Sequence, residues 1–340
     1  MSPAAPGPSA VPDPSAVPDP SAVPDPSADG GRTTATAPFT VLMPLWGKDR
    51  ADRALASITS ATLDQQLRPD LFVLTVDGPL TPELEALVER VAAGEFGPAT
   101  VLRHDTHRGV AATLQDGLEA SPHELVARAD ADDLCRPERF ALQIPHMHRE
   151  GLDLLGGAMR EFSDRTPPGE GPLRTRPLTH DEIVAYLPRH SPFHHPTMVL
   201  RRSTVLAVGG YRDLPLLEDY WLWERMMLGG ARMGNLPDVL VDYRVDEDLF
   251  ARRGGWRLLA SDLRLQKLMA LDRVTTPTEL LRNLAQRSVY RLAPGWARRL
   301  AYRRFVERVA PVDPPRDGRE SGHGTARRRP RPARRAGAGT

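Results

Sequence analysis

The chain has 340 residues, enough for one α/β domain of about 200–250 residues plus extensions. Its 45 basic and 44 acidic residues leave a net charge of +1, so no global field points to a specific nucleic-acid partner. A single cysteine, Cys135, excludes an internal disulfide, and no apolar run approaches the ~18 residues of a membrane span.

All basic residues except Lys48 and Lys267 are arginine, a bias of genome composition before it is one of function. The N-terminus shows no signal-peptide core, and together with the lone thiol this places the expected chain in the cytoplasm. Residues 1–37 repeat Pro-Ser-Ala-Val-Pro-Asp from Pro8, Pro14 and Pro20. Proline at this density sustains neither helix nor sheet, so a disordered tail is expected, or a start codon placed too far upstream.

Order is expected to begin at Phe39. Residues 39–46, FTVLMPLW, read as a strand buried on both faces. A helical pattern over 49–63 and a second strand over 71–78 complete a right-handed βαβ unit, ending in Asp77-Gly78. In such sheets ligands bind beyond the carboxyl ends of strands, which gives Asp77 a functional reading beside the plain one of a turn residue. Thr81 and Pro82 open a helix to 93, a short strand covers 100–103, and a helical stretch follows from His107 to Ser121.

Then comes LVARADADDLCRPERF, residues 125–140. A buried strand ends and three carboxylates follow, Asp130, Asp132 and Asp133, before Pro137-Glu138 opens the next helix. Three acids at a strand end repel unless a cation sits among them, and a divalent ion with oxygen ligands suits them. An acidic turn capping the helix is the plain alternative. Cys135 beside them lacks an evident activating base.

A strand over 152–162, a Pro/Gly-rich loop over 163–178 able to cover a site, and a helix from Thr179 follow. His194 and His195 precede an apolar strand; adjacent strand residues point to opposite faces, which disfavours a shared metal. Glu218-Asp219 opens a helix bearing Tyr220, Trp223, Met226 and Met227, where helix-dipole stabilisation is the plain reading of the acids. Residues 239–247 read as a closing strand. From 256 to 309 the pattern is helical and Arg-rich: a packed appendage, or a basic surface that touches anionic membrane lipid. From 313 on, an Arg-rich tail is expected to be disordered.

These stretches together resemble family-2 glycosyltransferases of the bacterial polysaccharide type. The motif R-x-D-A-D-D-x-x-x-P-E-R-F is matched at Arg128, Asp130, Ala131, Asp132, Asp133, Pro137, Glu138, Arg139 and Phe140. About 85 residues on, the block GG-Y…E-D-x-x-L-W-x-R is matched from Gly209 to Arg225, and Tyr243-Arg244 fits a closing Y-R. His195-Pro196 fits a further H-P element. The family's N-x-G-x-x-x-A-x-N-x-G helix is met with two departures, His107 and Asp116 in place of asparagines.

The resemblance implies an α/β fold of the GT-A type, Rossmann-like, with a mostly parallel central sheet flanked by helices, a C-terminal helical extension and disordered tails. The boundaries read as 1–37 tail, 38–250 catalytic domain, 251–312 helical extension and 313–340 tail. It implies an inverting transfer from a nucleotide-diphosphate sugar, a UDP- or dTDP-sugar, to a hydroxyl of a glycan or lipid-linked acceptor. Asp132 would ligate Mg²⁺ or Mn²⁺, Asp77 and Asp130 hold the nucleoside, Arg108 hold the diphosphate or stand as a plain surface arginine, and Asp133 orient the donor sugar. Asp219 would be the catalytic base, with Glu218 and His195 in the substrate site. Placement would be cytoplasmic, peripheral at the inner face of the membrane. Two other classes meet part of the pattern. A nucleotidyltransferase would carry a Gly-rich phosphate loop, which residues 43–50 lack. A non-catalytic polyanion-binding protein would need the Arg tail alone.

Overall fold

The computed structural model describes residues 37–245 and 255–293. The expected tails and the helical stretch over 297–309 lie outside these residues.

The sheet is built outward from β1 (Phe39–Trp46), which pairs in parallel with β2 (Leu71–Asp77) on one side and β4 (Leu125–Arg128) on the other. Parallel β3 (Ala99–His104) extends it beyond β2. The remaining strands are β5 (Leu134–Cys135), β6 (Leu154–Phe162), β7 (Leu173–Arg174), β8 (Val199–Arg201) and β9 (Met233–Arg244). The order is β3-β2-β1-β4-β8-β6-β9-β5, with β7 beside β6. β8 lies antiparallel between β4 and β6, so the parallel N-terminal half passes into a mixed half.

The helices are α1 (Ala51–Ala61), α2 (Pro82–Ala92), α3 (Val110–Ala120), α4 (Arg139–Glu150), α5 (His180–Tyr186), α6 (Arg202–Ala207), α7 (Glu218–Leu228), α8 (Trp256–Leu271) and α9 (Pro277–Leu292). Thr81 caps α2 with Pro82 at its first position, and Thr179 with Glu182 closes a capping box on α5. Among the described residues no helix is long and apolar enough to cross a membrane.

Side chains alternate along β1, and the two sets enter different cores. Phe39, Val41, Met43 and Leu45 pack with Ile58 of α1, Leu84 of α2 and Phe140 of α4. Leu42 faces the other way, into a core shared with Leu114 of α3, Trp223 of α7, and Leu258, Leu265 and Met269 of α8. The extension is therefore packed into the second core: each of those α8 side chains, fully buried, stabilises by about 1.5–3 kcal/mol. This arrangement brings the carboxyl ends of β1, β2 and β4 to one edge of the sheet, where Trp46, Asp77 and Arg128 stand together.

Candidate active site

The site begins at the end of β2. The Asp77 carboxylate is buried and accepts the backbone N–H groups of Arg108 at 2.6 Å and Gly109 at 3.0 Å. It also lies 2.8 Å from Nδ1 of His107. Asp77 thus fixes the turn that starts α3. Gly78 makes room for this turn: its φ is +84°, and a Cβ there would meet the His107 backbone nitrogen at 2.8 Å. The His107 ring stacks on Trp46 at 4.4 Å and 16°. The first departure from the family helix therefore supplies a flat wall. The second, Asp116, holds the Arg108 guanidinium and lies 3.2 Å from His104. Arg108 thus presents its backbone to Asp77, while its charge is directed to Asp116 rather than into the cleft.

Beyond β4 the acids fan out. Asp130 forms a two-pronged pair with the buried Arg128, at 2.6 and 2.7 Å. Asp133 is buried; one oxygen accepts the Arg244 N–H at 2.8 Å and, among the described residues, the other has no hydrogen-bond partner. Burial, then the charges of Asp132 and Asp130, hold its carboxyl well above the usual range. The Asp132 carbonyl accepts from Arg244 Nε at 3.2 Å. Asp130 and Asp132 line two adjoining spaces, one of about 240 Å³ with Trp46, Asp77 and His107, the other of about 790 Å³.

Among the described residues no group of three or more His, Cys, Asp or Glu side chains is arranged to hold a metal ion by itself. The donor set at the strand end is hard carboxylate oxygen, mutually repelling, with one buried oxygen that has no hydrogen-bond partner among the described residues. That fits Mg²⁺ or Mn²⁺ taking one or two carboxylates and completing its shell from phosphate and water.

Arg139, in the same motif, has a different part. It is fully buried and donates to the Arg128 carbonyl at 2.7 Å, to the Met198 carbonyl at 3.3 Å, to Gln143 at 3.1 Å and to the Cys135 thiol at 3.0 Å. It ties the strand that bears the acids to α4 and β8. Burial pushes the Cys135 thiol up, which makes it a packing residue and not a nucleophile.

The opposite wall is the start of α7. Glu218 is buried, and burial together with Asp219 pushes its carboxyl up to about 7. Burial also raises Asp219. One Asp219 oxygen accepts the Tyr220 N–H at 2.6 Å; the other is 4.0 Å from Nδ1 of His195. His195 sits in a 3₁₀ turn, His195–Thr197, and its Nε2 is 3.0 Å from the Tyr211 hydroxyl. Burial, then the Arg128 charge, hold its imidazole well below the usual range, so the ring is neutral.

Arg225 explains why the GG-Y block accompanies this helix. It donates to the Val208 and Gly210 carbonyls at 2.8 and 2.7 Å. Gly210 has φ +62° and lies against Gln115, whose side chain accepts the Tyr211 N–H at 2.8 Å. The turn so held delivers Tyr211 to His195.

Of the residues expected from sequence, Asp130, Asp132, His195, Glu218 and Asp219 line the larger cleft together. Asp77 lines the smaller space, Asp133 stands behind the acids, and the Arg108 guanidinium is outside both. Sequence reasoning assigned no role to Arg128, Tyr211 or Arg244, although each lies within a motif it had marked. A helix-capping reading of Asp219 survives in its bond to Tyr220 N–H, while its second oxygen lies 4.0 Å from His195 and the residue lines the cleft.

Comparison with known proteins gives the class. The solved structures that superpose include a mannosyltransferase from Pyrobaculum calidifontis in complex with GDP-Man and Mn²⁺, with TM-score 0.54 and 18% identity over 80% of this chain and 76% of that one. Another is S. aureus TarS 1–349 in complex with UDP-GlcNAc, with TM-score 0.54 and 17% identity over 74% and 72%. The fold is that of the GT-A glycosyltransferases. The family description "Glycosyl transferase family 2" matches residues 40–209, half of the chain. The amylovoran biosynthesis glycosyltransferase AmsE of Erwinia amylovora is 35% identical over 232 residues, 68% of this chain and 85% of its own length. A UDP-Gal:alpha-D-GlcNAc-diphosphoundecaprenol beta-1,3-galactosyltransferase of Escherichia coli is 29% identical over 277 residues, 80% and 98%. The chain belongs to glycosyltransferase family 2 and is a glycosyltransferase; the nucleotidyltransferase and polyanion-binding alternatives fall away.

Proposed function

We propose that this enzyme transfers a sugar, with inversion, from a nucleotide-diphosphate sugar to a hydroxyl of a glycan or lipid-linked acceptor in bacterial cell-surface polysaccharide biosynthesis. One observation carries the reading: Asp132 and Asp219 line the same cleft of about 790 Å³. An acidic metal edge and a separate buried carboxylate are the two parts that such a transfer needs.

The nucleoside lies in the smaller space, against the His107–Trp46 wall, with Asp77 and Asp130 at its edges. Asp132, with Asp130 beside it, would hold Mg²⁺ or Mn²⁺. The bound ion supplies Lewis-acid stabilisation of charge on the departing diphosphate. Arg128, buried and paired to Asp130, keeps a fixed positive charge at the same edge. Asp133 orients the donor sugar through Asp132 and the Arg244 contact.

Asp219 accepts the proton of the acceptor hydroxyl. That oxygen forms its bond to the anomeric carbon as the bond from carbon to diphosphate oxygen breaks, and the diphosphate leaves with the electron pair. General-base help of this kind is worth ~10²–10⁴-fold. His195 and Glu218 shape the acceptor side.

The metal assignment is tested by a thermal-shift titration with UDP and Mn²⁺. Wild type is expected to be stabilised by the pair and not by UDP with EDTA. Asp132→Asn, which keeps size and removes charge, is expected to lose that stabilisation. An Asp132→Asn enzyme with wild-type stabilisation and turnover would overturn the assignment.

A further inference from the structure

Helices α8 and α9 pack inward and leave an outer face. Leu258, Leu265 and Met269 turn one side of α8 into the second core. Its outward positions recur at helical spacing, at Trp256, Ala260, Leu263, Lys267 and Leu271. On α9 the outward side carries Leu281, Val289 and Leu292. The helices meet in a groove lined by Leu263, Ala270 and Leu271 of α8 and Leu280 and Leu284 of α9, with Lys267 beside them. Among the described residues ten large apolar side chains stand exposed, and six of them are on this pair. Trp256, Leu271, Leu281 and Val289 are exposed by 74, 68, 71 and 74%. Apolar exposure gathered in this way marks a surface that meets something, where scattered exposure does not.

The charges around it have one sign. Arg257, Arg264, Lys267, Arg273 and Arg282 are exposed on the two helices and the turn between them, against one exposed carboxylate, Asp272. The other two acids of the pair are engaged elsewhere. Asp262 is fully buried with Arg287 and Arg291, and Glu279 closes the cap of α9 and pairs with Arg189. This one-signed face stands out in a chain whose acids and bases nearly balance. The sequence that follows α9 does not answer it: residues 294–312 hold Arg298, Arg299, Arg303, Arg304 and Arg308 against Glu307 alone. Charge complementarity therefore calls for an anionic occupant.

We propose that the outer face of α8 and α9 docks on an anionic lipid bilayer. Leucines enter the acyl boundary, and the stems of Lys267 and the arginines lie along them while their charged heads reach lipid phosphates. Trp256, at the start of α8, sits where an interfacial aromatic anchor belongs. The inner sides of the same helices reach the catalytic cleft through Leu258 and Tyr290. A bilayer on the outer face thus lies about one helix diameter, ~10–12 Å, from the cleft. The two expectations for this arginine-rich stretch, a packed appendage and a membrane surface, belong to opposite sides of one helix pair. The inference does not depend on the role of Asp219.

The test uses the full chain in co-sedimentation with vesicles of phosphatidylcholine alone or mixed with phosphatidylglycerol. Wild type is expected to prefer the mixed vesicles by about tenfold or more and to leave them as salt rises. Arg264→Gln/Lys267→Gln is expected to weaken that binding about tenfold or more, and Leu271→Ser/Leu281→Ser by a similar factor. All four side chains are exposed and outside the cleft, so melting temperature and donor Kd are expected to stay at wild-type values. No preference for the mixed vesicles, or face variants that bind as wild type does, overturns the proposal. So does a loss seen only when the arginines of residues 327–335 are replaced by Gln, which would give the lipid to the tail. A nitroxide on Leu281→Cys reads the face directly, since Cys135 is buried and stays unlabelled. On mixed vesicles the label is expected to gain exposure to oxygen and lose exposure to a water-soluble nickel complex. A label already immobilised without vesicles overturns the proposal, in favour of the chain's own segments where dilution leaves it unchanged and of a second copy where dilution frees it.

Discussion

The Asp219 carboxylate faces Nδ1 of His195 at 4.0 Å, and the other nitrogen of that ring meets the Tyr211 hydroxyl at 3.0 Å. A neutral imidazole carries one N–H, and its partners choose which nitrogen holds it. With Tyr211 donating to Nε2, the proton sits on Nδ1 and points at Asp219. The longer separation leaves the carboxylate oxygen able to turn to an acceptor hydroxyl. Tyr211→Phe removes the donor that fixes this tautomer. It is expected to lower kcat without changing donor Kd, by less than the ~10²–10⁴-fold loss of the base itself. Nitrogen-15 NMR of the ring is expected to show mixed tautomers. An unchanged kcat would remove His195 from the positioning of Asp219.

The pH dependence follows from the buried pair. Burial raises Asp219, and burial with Asp219 pushes Glu218 up to about 7. A base must be ionised to accept a proton, so protonation of the pair at low pH silences it. The acid limb of kcat is therefore expected near pH 7, reporting the pair and not one residue. Glu218→Gln removes a like charge and is expected to move the limb to lower pH while keeping most of the plateau rate. A limb that stays in place would detach Glu218 from the titration.

Arg139 is expected to be needed for the site without touching it. Arg139→Met leaves the Arg128 carbonyl without this donor inside the core, while the Met198 carbonyl keeps the Arg128 N–H at 2.9 Å. An orphaned buried group costs about 1–3 kcal/mol, so a loss of that order is expected in denaturant unfolding. Arg139→Lys keeps the charge but not the fork, and is expected to fall between. A stable Arg139→Met enzyme would show that α4 and β8 hold β4 without it.

Much of this was legible in the sequence, for physical reasons that differ by element. β1 was readable end to end because both faces are buried, so every residue is apolar or nearly so. Strands β5 and β7 have two residues each, too few to carry a period, and α6 has only six. β9 begins at Met233, not Val239, because Gly234, Asn235, Pro237 and Asp238 interrupt its apolar run, and irregular pairing with β6 absorbs the break. The acids of the site were visible because they cluster. The partner of an arginine is not: Arg108 turns to Asp116 on the helix that follows it, and Arg139 to the Arg128 carbonyl across the acidic turn, choices of side-chain direction that residue spacing does not show.

Glu224 offers a check on stability. It is fully buried on α7, neither oxygen has a hydrogen-bond partner among the described residues, and burial pushes its carboxyl up to about 8 from 4.5. The folded state thus binds a proton that the unfolded chain gives up. Its stabilising effect is complete below pH 4.5 and is lost as pH rises through about 8. Glu224→Gln, neutral at every pH, is expected to raise Tm above pH 7 and to match wild type below pH 4.5. A constant Tm difference across pH would place the Glu224 proton elsewhere.

The central claim is that Asp219 accepts the proton of the acceptor, and the most direct measurement compares kcat and donor Kd in Asp219→Asn with wild type. The substitution keeps shape and the bond to Tyr220 N–H, and removes the ability to take a proton. A base acts in the transition state alone, so kcat and kcat/KM are expected to fall together, by about 10²-fold or more, with donor Kd nearly unchanged. A variant that is destabilised by the ~0.5–2 kcal/mol of a lost helix cap yet turns over at near wild-type rate would contradict the account.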